Sequence, residues 1–206
     1  MVFLADFEST EERKLIKYNK IIDRASELLK KDNYFEDSVG YFWGIIETRP
    51  YLRAKAGRIR VLLNLEKYDE AIKECEDILR LNNHDNMGIR YTLMNLYCLL
   101  GKYDELNIFY KKYKEETAYM LFPLAIMYYK QGKKEKSLKI LKDLNKCNKY
   151  IIDLLIGKCK KPNKYSEYYS FGSIEEAVLV IEAAEYLLKN NQEFINFVSK
   201  EYSKYE

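Results

Sequence analysis

Proline, glycine and histidine are scarce in this 206-residue chain: three, eight and one respectively. So few helix-breaking residues leave little room for the turn-rich connections of a β-sandwich or barrel, and favour helices joined by short turns. One histidine and four cysteines (Cys75, Cys98, Cys147, Cys159), with no C-x-x-C pair, give no zinc-ligand spacing. No phosphate loop, G-x-G-x-x-G or G-x-S-x-G is present. Charge of one sign is also missing, because 35 basic residues face 32 acidic ones for a net +3. That balance excludes a general attraction to nucleic acid or an anionic membrane and leaves only local patches. The longest apolar run, 120–129, is interrupted by Pro123 and is too short for a bilayer. The first eight residues carry no basic leader, so the expectation is a cytoplasmic protein with reduced thiols.

What is abundant is apolar and charged residues together, 48% and 33%, which describes a folded chain with a solvated surface. Their order repeats. Glu66-Lys67-Tyr68-Asp69-Glu70-Ala71-Ile72 reads as a turn, an aromatic, an acidic pair, a small residue and an apolar helix. The form recurs at Gly101-Lys102-Tyr103-Asp104-Glu105-Leu106, more loosely at Gly132 to Leu138, and earlier at Asn33 to Val39. The small-residue position falls at Ser38, Ala71, Leu106 and Ser137, at intervals of 33, 35 and 31. Within copy two, Ile59, Leu62, Leu63 and Leu65, then Ala71, Ile72, Cys75, Ile78 and Leu79, mark two amphipathic helices.

With Leu93, Tyr97, Gly101 and Tyr103 in one copy, Leu124, Ala125, Tyr128 and Gly132 in the next, and Pro50 closing the first, the pattern resembles the tetratricopeptide repeat family. The departures are Lys55 and Arg58, where the family has large apolar residues, and Leu106, where it has a small one. The resemblance implies an all-α fold, an α-α superhelical solenoid of about four TPR-like helical hairpins with N-terminal and C-terminal capping helices. It divides the chain into an N-terminal extension (1–18), four repeats (19–151), and a C-terminal connector with capping helices (152–206). Ser9 with Glu12, and Ser173 with Glu176, read as capping boxes that open helices. Phe3, Leu4 and Phe7 are expected to fold back over the first hairpin, and Ile151–Ile156 to form a short helix. Gly40 and Gly44 are expected on one helix, making room for a neighbour beside Trp43. Pro123 predicts that its helix begins near residue 121 or bends there.

No constellation reads as catalytic. His84 lies in a turn sequence, Leu81 to Asn86, and Cys75 on a core position; Asp69-Glu70 and Asp104-Glu105 open helices whose dipole favours negative charge. Cys159 sits between Lys158 and Lys160, which favour its thiolate, though a lysine-rich surface turn has the same look. The expectation is therefore a binding protein, with no enzyme activity, cofactor or metal. In the resembled family the first helices of successive repeats line a concave groove. Carried across, that groove has Arg24 and Glu27, then Arg53, Arg60 and Asn64, then Tyr91 and Asn95, then Tyr119, Phe122 and Tyr129. Arginines suit carboxylates, asparagines suit backbone, and aromatics supply apolar area, so the implied partner is a protein or peptide segment. A solvated helix face would read the same way. The connector 164–172 is rich in tyrosine and is a second candidate contact. Lys111-Lys112-Tyr113-Lys114 and the lysines of 158–164 open an alternative, a nucleic-acid-binding or peptide-sensing regulator, which the nearby Glu115 and Glu116 disfavour.

Overall fold

The computed structural model describes residues 5–163 and 169–202, and the expectations for Phe3, Leu4 and 164–168 of the connector lie outside them. Among the described residues there are twelve α-helices and no strand. The chain divides into two compact units, Met1–Leu93 and Met94–Glu206.

In the first unit, α1 (Glu11–Lys31) packs along α3 (Arg49–Asn64), and α3 along α4 (Tyr68–Leu81). α1 buries Tyr18, Ile22 and Leu29, one face of the helix at intervals of four and seven. Its cap is Thr10, whose side chain accepts the Arg13 N–H at 3.3 Å; Ser9, expected in that role, sits one residue outside and accepts from the Arg13 guanidinium. Phe7 does not fold over the hairpin. It stands 84% exposed, and Ala5 takes the buried position instead.

The segment between α1 and α3 departs from expectation. It forms a four-residue helix α2 (Tyr34–Asp37) and a 3-10 turn (Phe42–Gly44), not a full second helix. Gly40 adopts φ +93°, exchanges backbone hydrogen bonds with Leu81 and Asn83, and lies in a bridge between Tyr41 and Asn82. Gly40 and Gly44 are thus not on a helix. The close neighbour of Gly40 is Asn83, and Gly44 has none. Phe42 is fully buried against Phe35 and Tyr51 and anchors the segment.

One turn recurs. Asn33, Glu66, Gly101 and Gly132 all have φ between +56° and +73°, at intervals of 33, 35 and 31 residues. In three of them the next residue, Lys67, Lys102 or Lys133, donates its N–H at 2.9 Å to the carbonyl of Leu62, Tyr97 or Tyr128. That six-residue closure satisfies a carbonyl left over at a helix end. The same lysines then cap the next helix with nearly the same backbone angles.

In the second unit, which α5 (Ile89–Leu99) enters across the division, α6 (Tyr103–Tyr113) precedes the pair α7 (Ala118–Lys130) and α8 (Lys134–Cys147). α7 begins at residue 118, not 121. Pro123 stands sixth in it and has no N–H for the Tyr119 carbonyl, a defect tolerated amid full burial from Met120 to Met127. Ser137 is fully buried and its hydroxyl donates at 2.8 Å to the Ala125 carbonyl, whereas at the equivalent position Leu106 is fully buried as an apolar side chain. α9 (Tyr150–Leu155) starts one residue before the predicted helix and packs on α10 (Ile174–Ala183). Ser173 caps α10 by accepting the Glu176 N–H at 3.2 Å. The buried Glu176 carboxylate accepts from Gly172 N–H and from the Asn148 amide, tying the end of α8 to the start of α10. α11 (Glu185–Lys189) and α12 (Gln192–Tyr202) follow, and Phe194 and Phe197 of α12 pack on Tyr129 of α7.

Candidate functional site

Positions expected to line one groove divide between the two units. In the first, Arg24 is exposed on α1 and paired with Glu27 at 3.0 Å. Arg53 is exposed on α3, its guanidinium 5.7 Å from the Trp43 ring centroid; Arg49 lies 5.5 Å from the same ring. Arg60 and Asn64 turn toward the N-terminal segment, Arg60 bonding Asp6 at 2.6 Å and Asn64 bonding Glu11 at 3.1 Å. Tyr91 stacks beneath the Arg90 guanidinium at 4.2 Å. In the second unit, Phe122 is fully buried and presents no surface. Asn95 is also buried, donating at 3.2 Å to the Ala183 carbonyl, and Tyr129 donates from its hydroxyl to the Glu193 carbonyl at 3.3 Å. Tyr119 is half-buried. The C-terminal helices therefore occupy the sides of Asn95 and Tyr129 that the carried-over pattern assigned to a ligand.

Asp6 organises the N-terminal end. It accepts from Tyr18 Oη at 2.7 Å as well as from Arg60. Partial burial pushes its carboxyl up, yet the hydrogen bonds from Tyr18 and Arg60 outweigh that and hold it below the usual carboxylate range. Tyr18 is pushed up to about 12, by burial first, then by its hydrogen bond to Asp6 and by the Asp6 charge.

The feature that combines exposure, shape and charge is a groove of about 780 Å³ along α1. Its apolar lining is Ile16, Ile21, Ala25, Leu28 and Pro50, and its rim carries Arg13, Lys17, Lys20 and Arg24 with Glu8. The cations recur at intervals of four, three and four, which places them up one face of the helix. Ile21, Ala25 and Leu28 follow the same rule on the adjacent stripe. Ile16 and Leu28 are about half exposed, and α1 spends its other side on α3. Of the ten positions expected to line a partner groove, Arg24 alone lines this one. The remaining lining is legible as a cation stripe within residues 13–24, but residues up to 18 fall in the expected N-terminal extension and only Arg24 falls on a position the resembled family turns to its groove.

A second feature missed at the sequence level is ionic. Lys55, the departure from family pattern, is almost wholly buried and bonds Glu74 and Asp77, each at 2.8 Å. Arg58, the other departure, pairs with Glu74 and reaches Asn19 of α1 at 3.1 Å. Burial alone would lower the Lys55 pKa, but the Glu74 charge and the two hydrogen bonds more than compensate, and it is raised. This cluster joins α1, α3 and α4. Asp85, nearly buried, accepts from the N–H groups of Ile89 and Arg90 and from the Arg90 guanidinium at 2.8 to 3.0 Å. His84 is exposed beside it, edge-on to Tyr41.

Lys111 and Lys112 lie in the last turn of α6, where a helix end attracts cations. Among the described residues no group of three or more His, Cys, Asp or Glu is placed to hold a metal ion, and no helix is long and apolar enough to cross a membrane. The chain matches no protein-family model, no curated protein and no solved structure.

Proposed function

We propose that the protein is a TPR-like interaction module, a solenoid of helical hairpins that holds a segment of a partner protein. The observation that carries the reading is the open apolar groove along α1, whose half-exposed Ile16 and Leu28 are unburied by the chain itself. Apolar side chains aligned along a groove with a polar rim are the usual anatomy of a protein-binding surface. The four left-handed turn residues at repeat spacing support the hairpin-repeat architecture, because an unrelated helical chain has no reason to place them in phase.

The test compares affinity capture from the native cell by the intact chain and by Leu28→Asp, which alters an exposed side chain. A protein recovered by the first and lost by the second, with equal thermal stability, supports the reading. Equal recovery by both removes the α1 groove from it. Small-angle scattering tests the architecture: a compact, isotropic particle would argue against stacked hairpins.

A further inference from the structure

Resting on the partner-binding reading, we infer that the α1 groove receives an acidic amphipathic helix of a partner protein. Its apolar side lies on Ile21, Ala25 and Leu28, and its carboxylates meet Arg13, Lys17, Lys20 and Arg24.

The helical form of the occupant follows from the groove wall. α1 runs for 21 residues, about 30 Å, and its apolar and basic stripes both follow helical spacing. An α-helix laid alongside meets such stripes in register, whereas an extended strand alternates its side chains every 3.3 Å or so and falls out of step. The fold also leaves space for one. Copies two and four pack a long second helix on the first, α4 on α3 and α8 on α7. In copy one the segment after α1 spends four residues on α2 and three on a 3-10 turn, so α1 has no such companion.

The sign of the occupant follows from charge. Four cations and one carboxylate, Glu8, surround the groove. Carboxylates already settle on two of them: Glu8 reaches Lys17 at 2.8 Å and Glu27 reaches Arg24 at 3.0 Å. The Arg24–Glu27 pair is solvent-exposed and the Lys17–Glu8 pair partly so; surface pairs of this kind contribute little, so a partner's carboxylates exchange with them at small cost. Nucleic acid would satisfy the cations but offers nothing to Ile21, Ala25 and Leu28.

The experiment uses the full chain and three fluorescent helical peptides of about 18 residues, with leucine at positions i, i+4, i+7 and i+11. Their polar positions are glutamate, glutamine or lysine, and binding is read by anisotropy. Vesicles of phosphatidylcholine with phosphatidylserine form a fourth arm. The inference expects the glutamate peptide to bind at least tenfold tighter than the glutamine one, to weaken with salt, and to lose about tenfold in each of Leu28→Asp and Lys20→Glu. The lysine peptide should not bind. Equal binding of the glutamate and glutamine peptides, both lost in Leu28→Asp, overturns the acidic occupant and leaves the partner-binding reading standing. Vesicle binding that is lost in the same variant, with no peptide bound, overturns it in favour of a lipid surface. If no peptide binds and Leu28→Asp also leaves cellular partner capture unchanged, inference and reading fall together.

Discussion

The Tyr18 ring lies so close to Gly57 that a Cβ there would sit 2.5 Å from its Cε1, Cζ and Oη atoms. No real side chain is accommodated at that distance, so the contact between α1 and α3 depends on a glycine inside a helix. The ring cannot swing aside without cost, because it is 1% exposed and its hydroxyl is held by Asp6.

Gly57→Ala sets two effects against each other. Helix propensity favours alanine by about 1 kcal/mol, while overpacking a fixed neighbour costs about 1–3 kcal/mol. With the Cβ at 2.5 Å the cost sits at the upper end of that range, the clash should win, and urea unfolding should show a net loss of up to about 2 kcal/mol. In a Tyr18→Ala background the same substitution should turn stabilising, since only the propensity effect survives. A double-mutant cycle separates the two.

The recurring turn predicts opposite signs at equivalent positions. Glu66 holds φ +56° where Gly101 and Gly132 hold +71° and +73°. A left-handed non-glycine residue costs about 1–2 kcal/mol, partly offset by the greater freedom glycine loses on folding. Glu66→Gly should therefore raise stability by about 0.5–1 kcal/mol, and Gly101→Ala should lower it by about 1 kcal/mol, both read from thermal melts.

The buried cluster of Lys55, Arg58, Glu74 and Asp77 should respond unequally to single and paired changes. Lys55→Met removes a partner from the buried Glu74 carboxylate and should cost about 3 kcal/mol, with Arg58 retaining part of the Glu74 pairing and Arg80 still holding Asp77. Lys55→Met combined with Glu74→Leu should recover much of that loss, because an apolar pair of similar volume needs no desolvation.

The same cluster sets a pH dependence. Burial pushes the Asp77 carboxyl up, but its hydrogen bond and charge pairing with Lys55 prevail and lower it. A depressed carboxylate contributes stability above its unfolded pKa, about 3.9, and loses it as pH falls through the folded value. Lys55 is raised, so its contribution is complete below about 10.4 and fades as pH rises through its folded value. Unfolding midpoints should be level between about pH 5 and 9 and decline outside. Lys55→Met should flatten the alkaline decline.

Thiol chemistry should follow burial. Cys75 and Cys98 are fully buried, and burial pushes both thiols up, Cys98 to about 12. Cys147 and Cys159 are partly exposed. Brief alkylation of the folded protein, mapped by mass spectrometry, should modify the latter two and spare the former until denaturant is added.

Local pattern explains how much was readable. The turns at 66, 101 and 132, the helices they open, the Ser173 cap and the core position of Cys75 all depend on neighbours within about one turn, which adjacent residues specify. The Gly40–Gly44 spacing suits a helix, yet Gly40 takes φ +93° and bonds the distant backbone of Leu81 and Asn83, with Phe42 buried against Phe35 and Tyr51. Lys55 and Arg58 looked like departures from a pattern because their partners, Glu74 and Asp77, lie on another helix. Asn95 and Phe122 were assigned to a surface because helical spacing names a face without naming what covers it; Ala183 and the buried core of α7 decide that.

Periodicity and turn chemistry, which are short-range properties of a chain, determined that this protein is all-helical among its described residues and where several of its helices begin. Which faces meet, which charges are buried together, and which stripe of α1 stays open were decided by tertiary packing. The reason is that burial and Coulomb pairing depend on distances between residues far apart in sequence, and no local spacing encodes those distances.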